Sequence, residues 1–288
     1  MTAIFRTEAG QRALHECYRQ LLDHWPVANE QLRLPTREGE TFVIACGPVD
    51  APAVVLLHGA QANVSTWMGD VAVWAQRFRI YAVDAIGDVG LSAPSRPALD
   101  GEGYALWLDD VLAGLGVERA AFVGLSLGGF IALDYAVRRS ERVTALALLC
   151  PAGIGKQKNL LAKAFPLLFL GGWGRKKLRE TVFGPAPTTL TPAQQAFGGF
   201  IAMIHANAIP RVVKIPLASD AALAGLRMPV MAVAGGRDAL IDSAGTRRRL
   251  ARHVVDAEVT LLPDAYHLLP SQTATVMGFL SRNIGRSG

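Results

Sequence analysis

Short apolar runs without polar interruption recur along the chain: "PAVVLLHG" (52–59), "FRIYAVDA" (78–85), "AAFVGL" (120–125), "VTALALLCP" (143–151), "PVMAVAGG" (229–236) and "AEVTLLP" (257–263). An exposed strand alternates apolar and polar positions. Runs this continuous suit strands covered on both faces, as in a parallel sheet. Helical spacing fills most of the gaps, over 66–76, 104–115, 128–138 and 243–252. Two extended pieces, near 30–35 and 41–46, precede the first run. Before them, the opening 25 residues form an amphipathic helix with Leu14, Tyr18, Leu21 and Leu22 on one face, ended by Trp25-Pro26. Strand and helix in alternation predict a doubly wound α/β fold, whose ligand chemistry gathers beyond the carboxyl ends of the strands.

One interval breaks this rhythm. From about 152 to 226 no strand pattern occurs, and helix-like stretches are joined by "FPLLFLGGWG" and "GPAPTTLTPAQQ". Phe165, Phe169, Trp173, Phe183, Phe197 and Phe200 concentrate there. The interval is expected to be a helical cap over 152–226 with an apolar underside. The core is then 1–151 and 227–288, with the N-terminal helix at 1–25. No period of about 20 to 50 residues repeats, so solenoids and propellers are set aside.

Composition narrows the class further. In 288 residues, 51% are apolar and 18% charged, the balance of a compact globular chain. The formal charge is only +5, and the basic runs "GRKKLR" (174–179) and "TRRRLARH" (246–253) lack the interleaved aromatics of a nucleic-acid platform. They are read as solvated helix faces, with no nucleic-acid partner. Cys17, Cys46 and Cys150 are odd in number and without CxxC spacing, which argues against structural disulfides and a zinc site. No basic-then-apolar leader opens the chain. No segment reaches the roughly 18 apolar residues a membrane helix requires. A cytoplasmic protein with no membrane span is expected, and its oligomeric state is left open.

The chemistry concentrates on one turn. Gly124-Leu125-Ser126-Leu127-Gly128 matches G-x-S-x-G, between an apolar run and a helix. A serine on a sharp strand-to-helix turn holds its hydroxyl above the sheet. Glycines are needed where side chains would meet neighbouring backbone, and the following helix directs its N-terminus at developing negative charge. A serine hydroxyl is a weak nucleophile and needs a base, itself held by an acid. His267 ends the run "VTLLPDAYH" and Asp238 ends "VMAVAGGRD", so both fall on the rim that carries Ser126, in the chain order Ser, Asp, His. Among rival acids, Asp242 suits a helix cap, Asp264 suits the histidine loop, and Asp84 suits the organisation of "DAIGDVGLS". His58 is assigned to shaping its own loop, and Trp67 either to the pocket wall or to packing. Two backbone N–H groups are expected to face a developing oxyanion: that of Leu127, after the nucleophile, and that of Ala60, in the loop after the first run.

With these pieces in order, the chain resembles the α/β-hydrolase family from about residue 41 to 284, through "LLHGA", "YAVDAIGDVGLSAP", "FVGLSLGG", "AGGRDALI" and "DAYHLLP". Within that family it is similar to the bacterial carboxylesterase NP-like group. The resemblance implies an eight-stranded, mostly parallel sheet with a cap after the sixth strand. It also implies no cofactor or metal, Ser126 as nucleophile, His267 as base and Asp238 as its orienting acid. Serine at 126 disfavours the dehalogenase and epoxide-hydrolase branches, which use aspartate there. Gly87-Asp88-Val89-Gly90 and Asp264-Ala265-Tyr266 depart from the family pattern and are expected to alter the pocket. The expected activity is hydrolysis of a small-molecule carboxylic ester, apolar or aromatic, through an acyl-enzyme. The same machinery also serves carbon–carbon, amide and thioester hydrolases, and a ligand-binding protein with little turnover is the alternative from another class.

Overall fold

The computed structural model describes residues 4–159, 170–185 and 189–284. Strands β1 (Asn29–Thr36), β2 (Gly39–Cys46), β3 (Ala53–Leu57), β4 (Arg79–Val83), β5 (Ala120–Leu125), β6 (Val143–Leu149), β7 (Val230–Gly235) and β8 (Glu258–Leu262) form one sheet of order β1-β2-β4-β3-β5-β6-β7-β8. β2 is antiparallel to both its neighbours, and every pairing from β4 through β8 is parallel. The sheet is therefore eight-stranded and mostly parallel.

Among the described residues the helices are α1 (Glu8–Leu22), α2 (Val71–Trp74), α3 (Gly103–Gly114), α4 (Leu127–Arg138), α5 (Gly171–Phe183), α6 (Pro192–Asn207), α7 (Asp220–Ala224), α8 (Ser243–His253) and α9 (Thr273–Asn283). The strand period of two sorts side chains onto two cores. Val55 and Leu57 face a core closed by Trp107 and Leu108 of α3, Ile131 of α4, Leu223 of α7 and Leu250 of α8. Val54 and Leu56 face the other, closed by Leu14 of α1, Trp74 of α2 and Phe279 of α9. Both faces of the central strands are buried, which is why their sequences run apolar without alternation.

Between β6 and β7 the described residues hold α5, α6 and α7 and no strand of the sheet. α6 opens on a capping box in which the Thr191 side chain and Gln194 satisfy each other's backbone N–H. It sends Phe200 and Ile204 into the core beneath α1, where Phe200 stacks on Tyr18 at 5.8 Å. The N-terminus ties the far end of α6: Arg6 N–H donates to Asn207 at 2.8 Å and Ile209 N–H to Ile4 at 2.7 Å. Of the aromatic residues expected on an apolar underside, Phe165 and Phe169 lie outside the described residues, Trp173 and Phe183 are exposed, Phe197 is half-buried and Phe200 is in the core.

Candidate active site

Ser126 sits between the end of β5 and the start of α4 with φ 52° and ψ −109°, a left-handed conformation that a non-glycine residue adopts only when its surroundings impose it. The surroundings here are close-packed backbone. A side chain on Gly124 would lie 2.6 Å from the carbonyl oxygen of Gly128 and 2.7 Å from the Gly129 α-carbon. One on Gly128 would overlap the carbonyl oxygens of Leu57 and His58 at the end of β3. The main chain of Ser126 is also pinned: its N–H donates to Leu149 at 2.9 Å, and its carbonyl accepts from Phe130 and Ala152, each at 3.1 Å. The hydroxyl of this half-buried residue has a fixed base.

His267 and Asp238 converge on it. His267 Nε2 lies 3.0 Å from Ser126 Oγ, and Nδ1 lies 2.7 Å from Asp238 Oδ2. With a carboxylate on one side and a hydroxyl on the other, Nδ1–H donates to Asp238 and Nε2 accepts from Ser126, a tautomer assigned from the bonding partners. Asp238 is buried, and its other oxygen accepts the backbone N–H groups of Leu240 at 2.7 Å and Ile241 at 3.0 Å. Burial pushes this carboxyl upward. The bonds from His267 and the two amides outweigh that, and the net shift is below the ordinary aspartate value. Asp238 is therefore a carboxylate at neutral pH. The histidine loop is held from α5, because His267 N–H donates to the Val182 carbonyl at 3.2 Å.

The other residues singled out from the sequence fall around this chain of bonds. Leu127 is the first residue of α4, where an N–H has no partner within the helix. The loop after β3 passes close by: a Cβ on Gly59 would lie 3.5 Å from that of Ser126, and Ala60, exposed, follows it. His58 braces this loop. Its Nδ1 meets the Gly59 carbonyl at 2.8 Å, and its Nε2 accepts from Ala85 N–H at 2.9 Å. Asp84 accepts from Val64 N–H, Leu91 N–H and the Tyr18 hydroxyl, at 2.8, 2.7 and 2.9 Å, which ties "DAIGDVGLS" to α1. Asp242 caps α8 through Gly245 N–H, and Asp264 pairs with Arg237 at 2.6 Å. Trp67 is buried against Trp74, so it packs in the core.

Three further residues have surroundings that the sequence pattern does not show: Cys150 and Asp88, noted above only for cysteine spacing and for a departure from the family pattern, and Lys158. Cys150 follows β6 with φ 42°. Its thiol is pushed up to about 12, by burial first and then by the neighbouring Asp238. Lys158 Nζ donates to the main-chain carbonyl of Asp238 at 2.6 Å. Asp88 is buried within the loop after β4. Desolvation raises its carboxyl to about 6 against the opposing pull of His58, Val89 N–H, Arg96 and Gln61 N–H. For Cys150 a signal was present, since "LLCP" closes an apolar run on the same rim. For Asp88 and Lys158 the relevant neighbours come from distant loops.

Comparison with known proteins follows the same lines. The sequence model of the alpha/beta hydrolase family matches residues 54–276. The uncharacterized carboxylesterase nap of Bacillus subtilis strain 168 is 31% identical over 282 residues, covering 95% of this chain and 94% of that protein. The crystal structure of naproxen esterase (carboxylesterase NP) from Bacillus subtilis aligns with a TM-score of 0.81 and 29% identity, over 96% of this chain and 99% of the other. That of carboxylesterase CesB (YbfK) from the same organism aligns at 0.80 and 29%, with the same coverage.

Proposed function

The chain belongs to the alpha/beta hydrolase family, and on that premise we propose that it hydrolyses carboxylic esters through an acyl-enzyme formed on Ser126. The observation that carries this reading is the unbroken hydrogen-bond chain from Ser126 through His267 to Asp238, at 3.0 and 2.7 Å. Ser126 Oγ attacks the ester carbonyl as His267 Nε2 takes its proton. Asp238 holds the imidazole in the accepting tautomer and stabilises the cation that forms. The carbonyl oxygen, now anionic, is received by the N–H groups of Leu127 and Ala60, each such donor being worth about 10²–10³ in rate. Collapse of the tetrahedral adduct breaks the bond to the alkoxy oxygen, and His267 gives that oxygen its proton. Water then attacks the acyl-enzyme by the same steps, releasing the acid and restoring Ser126.

The substrate is a small-molecule ester, and its acyl part is read as apolar or aromatic. Support comes from the exposed side chains of Trp173, Phe183 and Leu190 in the segment between β6 and β7, and from a relative named as a naproxen esterase. Residues 152–226 are read as a cap on a core of 1–151 and 227–288. Contacts of α5 with the histidine loop support this: besides the Val182 bond, a side chain on Gly184 would lie 2.8 Å from the Tyr266 ring. The cytoplasm is the proposed location, on the ground that Cys17, Cys46 and Cys150 are free thiols. Among the described residues, no helix is long and apolar enough to cross a membrane.

A fluorophosphonate probe and a series of p-nitrophenyl esters, run beside an amide and a thioester, test the proposal. Wild type is expected to be labelled once and to prefer the esters. Ser126→Ala is expected to lose labelling and about 10⁶ in kcat. A Ser126→Ala enzyme that kept a tenth of wild-type turnover would end the reading. Labelling without turnover of any ester would turn it toward a binding protein.

A further inference from the structure

At the proposed base, three metal-binding donors meet. The thiol of Cys150, a carboxylate oxygen of Asp238 and a ring nitrogen of His267 all lie within 4.8 Å of one another, and all three residues are buried. They follow β6, β7 and β8 by about one, three and five residues, and those strands are neighbours in the sheet, so the loops that carry the cluster leave the sheet side by side. Cys150 N–H donates to Val233 at 2.8 Å, which fixes the backbone from which the thiol projects. Asp238 commits Oδ1 to the amides of Leu240 and Ile241 and leaves Oδ2 facing His267 Nδ1. Lys158, the nearby cation, bonds the main-chain carbonyl of Asp238 at 2.6 Å.

Thiolate, imidazole and carboxylate together are the donor set of zinc and of softer thiophilic ions, and hard ions such as magnesium avoid sulfur. Bond lengths of about 2.0–2.3 Å around a tetrahedral ion put its ligand atoms about 3–4 Å apart. The 2.7 Å gap between Nδ1 and Oδ2 has to widen, while no two of the three donors start more than 4.8 Å apart. The geometry points to an inhibitory site for a thiophilic divalent cation, built from Cys150, which the ester reaction does not use, together with the proposed catalytic pair Asp238 and His267. On binding, the thiol proton leaves to solvent as the sulfur–metal bond forms. The Nδ1 proton is replaced by the metal and reappears on Nε2, so one proton is released in all. With Nε2 protonated, His267 no longer accepts from Ser126 Oγ, and the hydroxyl loses its base. That consequence rests on the function proposed above. Occupancy of the site does not.

The full-length protein titrated with cadmium, zinc and magnesium chloride in a non-chelating buffer tests both parts. Cadmium should produce a thiolate-to-metal absorption band saturating at one equivalent. Cadmium or zinc should lower ester turnover by at least about tenfold, reversibly by chelator, while magnesium does nothing. Cys150→Ala should retain turnover, lose the band and need at least about tenfold more cadmium for inhibition. Cys150→Ser, which keeps the volume and swaps sulfur for oxygen, should behave alike and covers the case in which the smaller residue fails to fold. A band of full strength in Cys150→Ala, with Cys17 or Cys46 as its source, overturns the site, and turnover untouched at saturating cadmium overturns its inhibitory role. A wild-type chain that shows the Cys150-dependent band but cleaves no ester leaves the site standing and sinks the esterase reading.

Discussion

Asp88 brings a carboxyl group to a place from which water is excluded, and its acidity moves accordingly, from 3.8 to about 6. Between those values the folded chain holds a proton that the unfolded chain has already released. Its ionised form is therefore a penalty on the fold above pH about 6, relieved as the pH falls toward 4 at about 1.4 kcal/mol per unit. Asp88→Asn removes this dependence. The stability of wild type minus that of the variant is expected to rise by about 1.5 kcal/mol on going from about pH 8 to about pH 5, measured by urea unfolding. A difference that stays flat with pH would mean that Asp88 is better solvated than its burial implies. Asp238 moves the opposite way although it too is buried, because His267 and two amides bond its ionised form. Two buried aspartates thus differ although each accepts amides from its own stretch of chain; the partner that separates them, His267, is 29 residues from Asp238.

At the scale of elements, the register between α4 and the sheet matters most, because it sets where Ser126 stands. Gly128 lets α4 rest on the carbonyl ends of β3, with no room for a methyl group. Gly128→Ala is expected to push the helix outward and cost about 3 kcal/mol of stability, read by thermal or urea unfolding, and to lower ester turnover along with it. A stable, fully active Gly128→Ala protein would show that α4 shifts without moving the hydroxyl. The run "AAFVGL" coincides with β5, and "VTALALLCP" contains β6, because continuous apolar sequence has few other uses in a core. The stretch 66–76 did less well. In place of one helix it forms a 3₁₀ turn at Val64–Trp67 and the four-residue α2, separated at Gly69. Trp67 and Trp74 both turn into the core there, and a glycine at the break has little helical preference to resist it. α9 was not singled out at all, although Val276, Phe279 and Leu280 repeat at helical spacing.

For the molecule as a whole, α1 acts as a tie between layers. Tyr18 stacks on Phe200 of α6 and donates its hydroxyl to Asp84 beyond β4, so one side chain joins the N-terminus, the inserted segment and the sheet. Tyr18→Phe keeps the stack and removes one donor from the buried carboxyl group of Asp84. A loss of about 1–2 kcal/mol is expected in urea unfolding, the usual cost of removing one partner of a buried hydrogen bond. No loss would mean that Val64 and Leu91 N–H groups satisfy Asp84 by themselves.

The fold class, the strands and the residue types at their ends were already determined by the amino-acid sequence. Burial on both faces imposes an apolar run, and a tight strand-to-helix turn imposes glycine; both demands are local and leave local traces. The tertiary structure alone decided distance and environment. It set the 3.0 and 2.7 Å contacts among Ser126, His267 and Asp238, which are 141 and 29 residues apart in the chain. It also brought Cys150 to Asp238 and buried Asp88 among His58, Arg96 and the amide of Gln61. Those meetings depend on the order of strands in the sheet, and a one-dimensional pattern carries no trace of which strand ends become neighbours.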